Sequence, residues 1–322
     1  MKSTLLTSLI VIAASVTTSF AQTTLKIGYA NTKESHLGVG ATTFCEEIQA
    51  KTSGRYVCQH FPSSALGGER EMAEGLQIGT IDAANLTTGP LGNFVPEVRV
   101  LDLPFLFRDY AHARTTLDGT IGQELLAKFP SKGLVALAWT ENGFRHMTNN
   151  KRAIVKPTDA SGLKVRTMEN KVHMEGYRAF GMQPTPMAFP EVFGALQQGT
   201  VDGQENPIPV ILASKFSQVQ KHLSLTSHVY SPAVLMVSPR FWVKVAEADK
   251  PMFLEASKKA AAAQRKKVNE DETTGVAQLE KAGMQVVRTV DSQAFRDAMT
   301  PVYVNLSKEL GADSIKRIQD VR

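Results

Sequence analysis

The chain has 322 residues, of which 43% are hydrophobic and 21% charged, and its formal net charge is +5 at pH 7. This composition excludes a disordered or fibrous protein. Many of the basic residues lie in the Ala-rich segment 258–267, where no aromatic residue lies between them. Stacking on nucleic-acid bases therefore has no support, and we expect a solvated helix face there.

Residues 1–21 have the features of a secretory signal peptide. Lys2 provides a positive start, residues 5–16 form an apolar core, and residues 19–21 read small-x-small. The apolar run is shorter than the roughly 20 residues of a membrane-spanning helix. We therefore predict export and cleavage after Ala21. No cysteine lies at the junction, so a lipid anchor is not expected. The remaining part is long enough for two domains.

The first half of the exported part alternates strands with helices. The predicted elements are a strand at 25–30, a helix at 37–51, a strand at 56–61, a helix beginning near 68–71 and a strand at 81–86. This β-α-β-α-β order predicts a parallel sheet with helices on its faces. Cys45 and Cys58 lie in this region, and export permits a disulfide between them. Two free buried cysteines are the alternative, since a helix and the next strand need not meet the Cα distance of a bridge.

The second half contains shorter strands and one long helix. After an apolar linker at 101–107, we predict a helix around 122–129, strands at 134–139, 163–165 and 235–238, and a helix from 251 to about 283. At 1.5 Å per residue, that last helix could run along two domains. The expected α/β fold is a two-lobed clamshell that closes around a ligand. Lobe I is predicted at 22–142 and 232–271, and lobe II at 143–231 and 272–322.

Motifs typical of enzymes are nearly absent. The glycine pair at 38–40 follows a strand, but Thr43 occupies the third glycine position of a dinucleotide loop. Residues 161–164 match S-x-x-K, yet no partner motif accompanies them. The seven histidines show no metal-ligand spacing. We therefore expect no catalytic residues, no metal site and no cofactor.

Arg145 and Arg166 end mainly apolar strands or turns. An arginine removed from water needs an anion, and its planar fork suits a carboxylate. The alternative is an internal ion pair with a glutamate of the same region. The glutamates considered are Glu141, Glu169 and Glu205. Spacing leaves both interpretations of the two arginines open. Two other candidate ligand-binding residues also have alternatives: Phe189 could be an ordinary core residue, and Asn206 could cap a helix.

Five segments together resemble one family of binding proteins. They are FPSSALGGER at 61–70, ENGFR at 141–145, GLKVR at 162–166, PTPMAFPEV at 184–192 and VDGQENP at 201–207. Their order and spacing cover essentially the whole exported chain. The sequence resembles the substrate-binding proteins of tripartite ATP-independent periplasmic (TRAP) transporters, the DctP-type family.

The resemblance implies a periplasmic-binding-protein clamshell with a long helix spanning both lobes. It also implies an organic-acid ligand that is passed to the small and large membrane subunits of a sodium-driven transporter. The expected protein is a monomer in the periplasm of a Gram-negative bacterium, without a nucleic-acid partner.

The resemblance also assigns roles to individual residues. It places the substrate carboxylate on Arg166, assisted by Arg145, with Asn206 in contact with the ligand and Phe189 packed over it. The residues expected on the lobe I side are Asn31, His36, Glu69, Thr87 and Thr88.

Thr87 departs from the pattern of sialic-acid binders, in which an acidic residue follows the third strand. This departure disfavours sialic acid and favours a C4-dicarboxylate, a sugar acid or another hydroxy acid. We expect Arg166 to capture the carboxylate in the open state, and lobe I groups to complete the hydrogen bonds on closure. A binding component of an ATP-driven importer or of a sensor, and an exported enzyme, are the alternatives.

Overall fold

The computed structural model describes residues 22–322, and the predicted signal peptide at 1–21 lies outside the described residues. Within them, one mixed sheet contains the strands β1 (Thr23–Tyr29), β2 (Tyr56–Phe61), β3 (Ala83–Thr87), β4 (Val135–Asn149), β5 (Lys164–Thr167), β6 (Gln183–Pro186), β7 (Gly203–Pro207), β8 (His222–Val237) and β9 (Gln285–Val287). The strand order is β2-β1-β3-β8-β4-β7-β5-β6, and β9 pairs with β8.

Helices cover both faces of this sheet. They are α1 (His36–Lys51), α2 (Glu69–Ile78), α3 (Thr88–Leu91), α4 (Tyr110–Asp118), α5 (Thr120–Leu126), α6 (Pro157–Ala160), α7 (Lys171–Ala179), α8 (Val192–Gln198), α9 (Ile208–Ala213), α10 (Pro239–Trp242), α11 (Lys250–Lys281), α12 (Ser292–Leu310) and α13 (Ala312–Gln319). Short 3-10 helices lie at Pro96–Asp102, Pro130–Lys132, Phe189–Glu191 and Phe216–Gln218. The β-α-β-α-β start of the chain is confirmed, since β1 pairs in parallel with both β2 and β3.

Two long strands, β4 and β8, connect the halves of the sheet. They pair antiparallel along most of their length. Strand β3 pairs with the C-terminal end of β8, and β7 pairs with the C-terminal end of β4. The predicted strands at 134–139 and 235–238 are therefore fragments of much longer strands. The first predicted strand ends before Gly143 and the second begins after Pro232, because glycine and proline are disfavoured within a regular strand.

A bulge explains how the sheet tolerates these residues. The register of β4 against β8 shifts between Glu141 and Gly143, opposite Pro232. Gly143 has a φ of +121°, and a Cβ there would lie 3.1 Å from the Tyr110 hydroxyl, so a side chain is disfavoured on both counts. The predicted crossings between lobes, at 142/143 and 231/232, fall at this bulge; the lobe boundaries themselves stay a prediction.

The long helix α11 contacts both halves of the sheet, as predicted. Its 32 residues span about 48 Å. Phe253 and Ala256 pack in the core around β1 and α1, whereas Leu279 packs in the core of α8 and α9. Three lysines of its basic segment are exposed, which fits the predicted solvated face. They are Lys258, Lys259 and Lys266.

The chain end returns along the sheet. Helix α12 packs against α7, with the Phe180 and Phe295 rings 5.0 Å apart. Helix α13 instead lies near α4, where the backbone carbonyl of Ile318 is 2.8 Å from Nε2 of His112. Residues 272–322, predicted in lobe II, therefore contact both predicted lobes.

Cys45 of α1 and Cys58 of β2 form a disulfide, with their Cα atoms 5.7 Å apart. The helix-to-strand turn after Lys51 brings α1 back along β2, which places the two side chains face to face. Of the two alternatives that the sequence left open, the structure contains the bridge.

Reduction of this disulfide is expected to lower the free energy of unfolding by about 3 kcal/mol, because the bridge closes a loop of roughly 14 residues in the unfolded chain. Urea unfolding with and without reductant measures the effect. A variant with both cysteines replaced by serine is the control, since reductant should not shift its midpoint. An unchanged midpoint after complete reduction of the native protein would contradict the expectation.

Candidate functional site

A small cavity lies where strands of both halves of the sheet end. Its volume is about 20 Å³, which is room for about one water molecule and far below the roughly 300 Å³ of an ordinary ligand pocket, so a ligand requires the two halves to move apart. Its polar lining consists of Asn31, Glu69, Thr87, Asn142, Arg166 and Asn206, and its apolar lining of Ala30, Leu37, Met168, Phe189 and Val210. The carboxyl ends of parallel strands in an open α/β sheet are the usual position for a ligand.

Arg166 is the buried cation of this cavity. It is 2% exposed, and its Nε and Nη2 donate to the backbone carbonyl of Met187 at 3.1 and 2.8 Å. In residues 22–322, Nη1 has no hydrogen-bond partner and no carboxylate lies within ion-pair distance of the guanidinium. Burial lowers the pKa of Arg166 to about 10, so it stays charged at neutral pH. The site therefore holds a desolvated positive charge that lacks its own counter-ion.

Glu69 is the buried anion of the same cavity. It begins α2, where a carboxylate is favoured by the helix dipole. Oε1 accepts from the Thr87 backbone N–H at 2.6 Å and Oε2 accepts from the Thr87 hydroxyl at 2.8 Å. Burial raises the pKa of Glu69, while these hydrogen bonds and the charge of Arg166 oppose that shift. Thr87 thus holds the carboxylate in a fixed orientation at the end of β3.

Arg145 has an internal partner. Its Nε donates to one carboxylate oxygen of Glu205, and Nη2 donates to the other at 2.8 Å. Both side chains are buried and His228 lies 3.5 Å from the same carboxylate. Burial alone would raise the pKa of Glu205, but Arg145 and His228 hold it well below its usual range. Arg145 therefore forms the internal ion pair that its spacing left open as an alternative. It does not line the cavity. Its predicted role toward substrate stays a prediction.

Phe189 and Asn206 both line the cavity. The Phe189 ring centre lies 5.7 Å from the Arg166 guanidinium carbon and 6.2 Å from the Phe216 ring, so the residue contributes to packing as well. Asn206 donates from Nδ2 to Gln204 at 2.6 Å. Asn206 does not cap a helix, because the N-cap residue of α9 is Pro207.

His36 and Thr88, two further predicted site residues, lie behind the cavity wall. His36 Nε2 is 2.8 Å from the Asn142 side-chain oxygen, and burial lowers the pKa of His36 to about 4. It is therefore neutral and orients Asn142. Thr88 donates to Asp102 at 2.7 Å. Of the nine predicted site residues, six line the cavity. The other three, His36, Thr88 and Arg145, do not line it.

Sequence reasoning missed several lining residues. Asn142 belongs to the ENGFR segment that supported the resemblance, so a signal for it was present. Leu37, Met168 and Val210 are apolar residues at ordinary helix or strand-end positions, and nothing local distinguishes them from core residues.

Two other features concern membranes and metals. Within 22–322, no helix combines the length and apolar character needed to cross a bilayer. The same residues contain no group of three or more His, Cys, Asp or Glu side chains placed to hold a metal ion.

The profile of the DctP family, described as bacterial extracellular solute-binding protein, family 7, matches residues 27–309. The chain belongs to this family. The family prediction is therefore confirmed.

Solved structures of DctP-type proteins extend this result. A TRAP periplasmic solute-binding protein of Polaromonas sp. JS666, bound to D-erythronate, is 67% identical with a TM-score of 0.93, covering 94% of this chain and 99% of its own. A Bordetella TRAP protein with density assigned to pantoate is 52% identical with a TM-score of 0.92, covering 94% and 100%. A Sulfurospirillum deleyianum TRAP protein with bound succinate is 34% identical with a TM-score of 0.90, covering 94% and 100%.

The predicted two-lobed periplasmic-binding-protein fold is confirmed by these neighbours, as is the assignment to TRAP solute-binding proteins. The family and the three neighbours are binding proteins, and the neighbours contain organic acids. What this particular DctP-type chain binds is a separate question, which its own cavity addresses.

Proposed function

We propose that this chain is the periplasmic receptor that binds a small organic acid through its carboxylate at Arg166 and delivers it to the membrane subunits of a TRAP transporter. The observation that carries the proposal is the buried Arg166 guanidinium without a carboxylate partner. Burying a charge without a counter-ion costs several kcal/mol, and a ligand carboxylate would supply the missing anion in a geometry that the fork favours.

The position of the cavity supports a closure mechanism. Arg166 and Asn206 come from the predicted lobe II, whereas Asn31, Glu69 and Thr87 come from the predicted lobe I. An acid captured at Arg166 in an open state would gain contacts with lobe I only after closure. Such differential contacts are what shifts the equilibrium toward the closed state.

The neighbours support the size of the ligand. The two most similar of the three contain erythronate and pantoate, both small hydroxy acids. Export through the signal peptide at 1–21 would place the receptor in the periplasm as a monomer that meets a small and a large membrane subunit. We expect the acid to be recovered unchanged after binding.

A thermal-shift panel of organic acids on residues 22–322 tests the proposal. A true ligand at 100 times its Kd should stabilise the folded protein by about 2.7 kcal/mol. The primary amide of the same acid is the matched control and should give no shift. If no carboxylate in the panel stabilises the protein, or if the amide does so equally, Arg166 does not serve as the acid-binding group.

A further inference from the structure

We propose that the cavity selects a hydroxylated monocarboxylic acid and rejects dicarboxylic acids, and that Glu69 is the residue that makes this distinction. The inference rests on the proposed role of Arg166 and adds the chemistry of the rest of the ligand. The charges that line the cavity do not match the two negative charges of a dicarboxylate.

The lining residues of the cavity include one cation. Arg166 is that cation, whereas Arg145 lies outside the lining and its charge is neutralised by Glu205. His36 is neutral behind the wall. Arg70 lines an adjoining pocket that shares Glu69 and Arg166, but its side chain is half exposed and its charge is already paired with Glu74 at 3.2 Å and Glu169 at 3.8 Å. One ligand carboxylate therefore has a partner, and a second would have none.

The anion of the cavity comes from the other half of the sheet. Glu69 is held at the end of β3, whereas Arg166 lies on β5, and no ion pair within 4.0 Å joins the two side chains. A ligand between them can offer its carboxylate to Arg166 and its remaining atoms to Glu69. Arg166 thus does not neutralise Glu69 by direct contact.

The hydrogen bonds of Glu69 determine what it can accept. Each carboxylate oxygen receives one donor from Thr87, at 2.6 and 2.8 Å, and each retains a further lone pair. A ligand hydroxyl can donate to that lone pair. A ligand carboxylate cannot, and its like charge would be held next to Glu69 at a cost of several kcal/mol in a desolvated site.

Neutral amides complete the polar wall. Asn31, Asn142 and Asn206 can both donate to and accept from ligand hydroxyls. None of them offsets a negative charge. The cavity is thus suited to one carboxylate followed by a short hydroxylated chain.

Two four-carbon acids provide a direct test. The probes are 2,3,4-trihydroxybutanoate and malate, which have the same chain length but differ in the group at the fourth carbon. Isothermal titration of the native protein should give a preference for trihydroxybutanoate of about 100-fold. A malate or succinate affinity within about threefold of that for trihydroxybutanoate would overturn the selection. If neither probe binds, the thermal-shift panel separates the two failures: a panel in which only dicarboxylates stabilise the protein overturns the selection, whereas a panel in which no carboxylate stabilises it overturns the proposed function.

The variant Glu69→Gln removes the negative charge with little change in shape. Its preference for trihydroxybutanoate over malate should shrink by about tenfold or more, while Glu46→Gln, at an exposed position of α1, keeps the native ratio. Thr87→Val is a second variant that retains the charge but loosens its orientation, so it should weaken trihydroxybutanoate binding and still reject malate. Circular dichroism confirms folding of each variant. A native ratio in folded Glu69→Gln would show that Glu69 does not set the selectivity.

Discussion

Replacement of Arg166 by alanine is expected to weaken acid binding by roughly two to three decades in Kd, or about 3–5 kcal/mol. The physical reason is that the ligand carboxylate would enter a buried site without its cation. Arg166→Lys should recover part of the loss, because it keeps the charge but loses the planar fork. Isothermal titration with the acid found in the thermal-shift panel measures both changes.

Arg178→Ala is the matched control for this prediction. Arg178 is an exposed arginine at the end of α7, so its removal should leave the affinity unchanged. Unfolding curves of each variant separate lost binding from lost folding. An Arg166→Ala protein that is folded and binds the acid as tightly as the native protein would contradict the assignment.

Glu205→Leu is expected to destabilise the fold by about 3–5 kcal/mol, because it leaves the buried Arg145 guanidinium without its anion. The double variant Arg145→Met with Glu205→Leu removes both charges and should recover most of that stability. Urea denaturation of the two variants measures the difference. Lys151→Met is the control, since Lys151 is largely exposed and pairs with Asp202 at the surface, where ion pairs contribute about 0–1 kcal/mol. If Glu205→Leu is no less stable than this control, the buried pair does not stabilise the fold.

The double variant also separates two roles for Arg145. If Arg145 only supports the wall behind Arg166, the double variant should bind the acid with nearly native affinity. If Arg145 contacts the substrate, its affinity should fall although its stability recovers. The resemblance predicts that Arg145 assists in binding the substrate carboxylate, whereas in the structure its guanidinium donates to the carboxylate of Glu205.

Much of the fold follows from local patterns. Strand β1, helix α1, strand β2 and helix α11 have periodicities and end signals that mark them without further information. The extent of β4 and β8 was underestimated, because Gly143 and Pro232 interrupt the pattern that defines a strand. Their tolerance comes from a bulge between the two strands, which is a property of the pair and not of either segment.

The candidate site shows the same division. Arg166, Glu69 and Asn206 belong to recognisable segments, and all three line the cavity. His36 and Thr88 were predicted in the same site, but their side chains contact Asn142 and Asp102 and do not line the cavity. Whether a side chain at a strand or helix end points into the cavity or into the wall depends on the packing of its neighbours.

Chain order, residue types and spacing were sufficient for the α/β class and, through the resemblance, for the family, because these depend on segments of a few residues. Arg166 as the acid-binding residue stays a prediction of that resemblance. The three-dimensional pairing settled which arginine keeps an uncompensated charge. Residues 145 and 205 are sixty positions apart, and they meet because β4 pairs with β7. Arg166 lies on the next strand, β5, without a carboxylate partner, and Glu69 reaches the cavity from the other half of the sheet because Thr87 of β3, which pairs with β8, holds it. Electrostatic compensation depends on distances across strands, and those distances exist only in the folded chain.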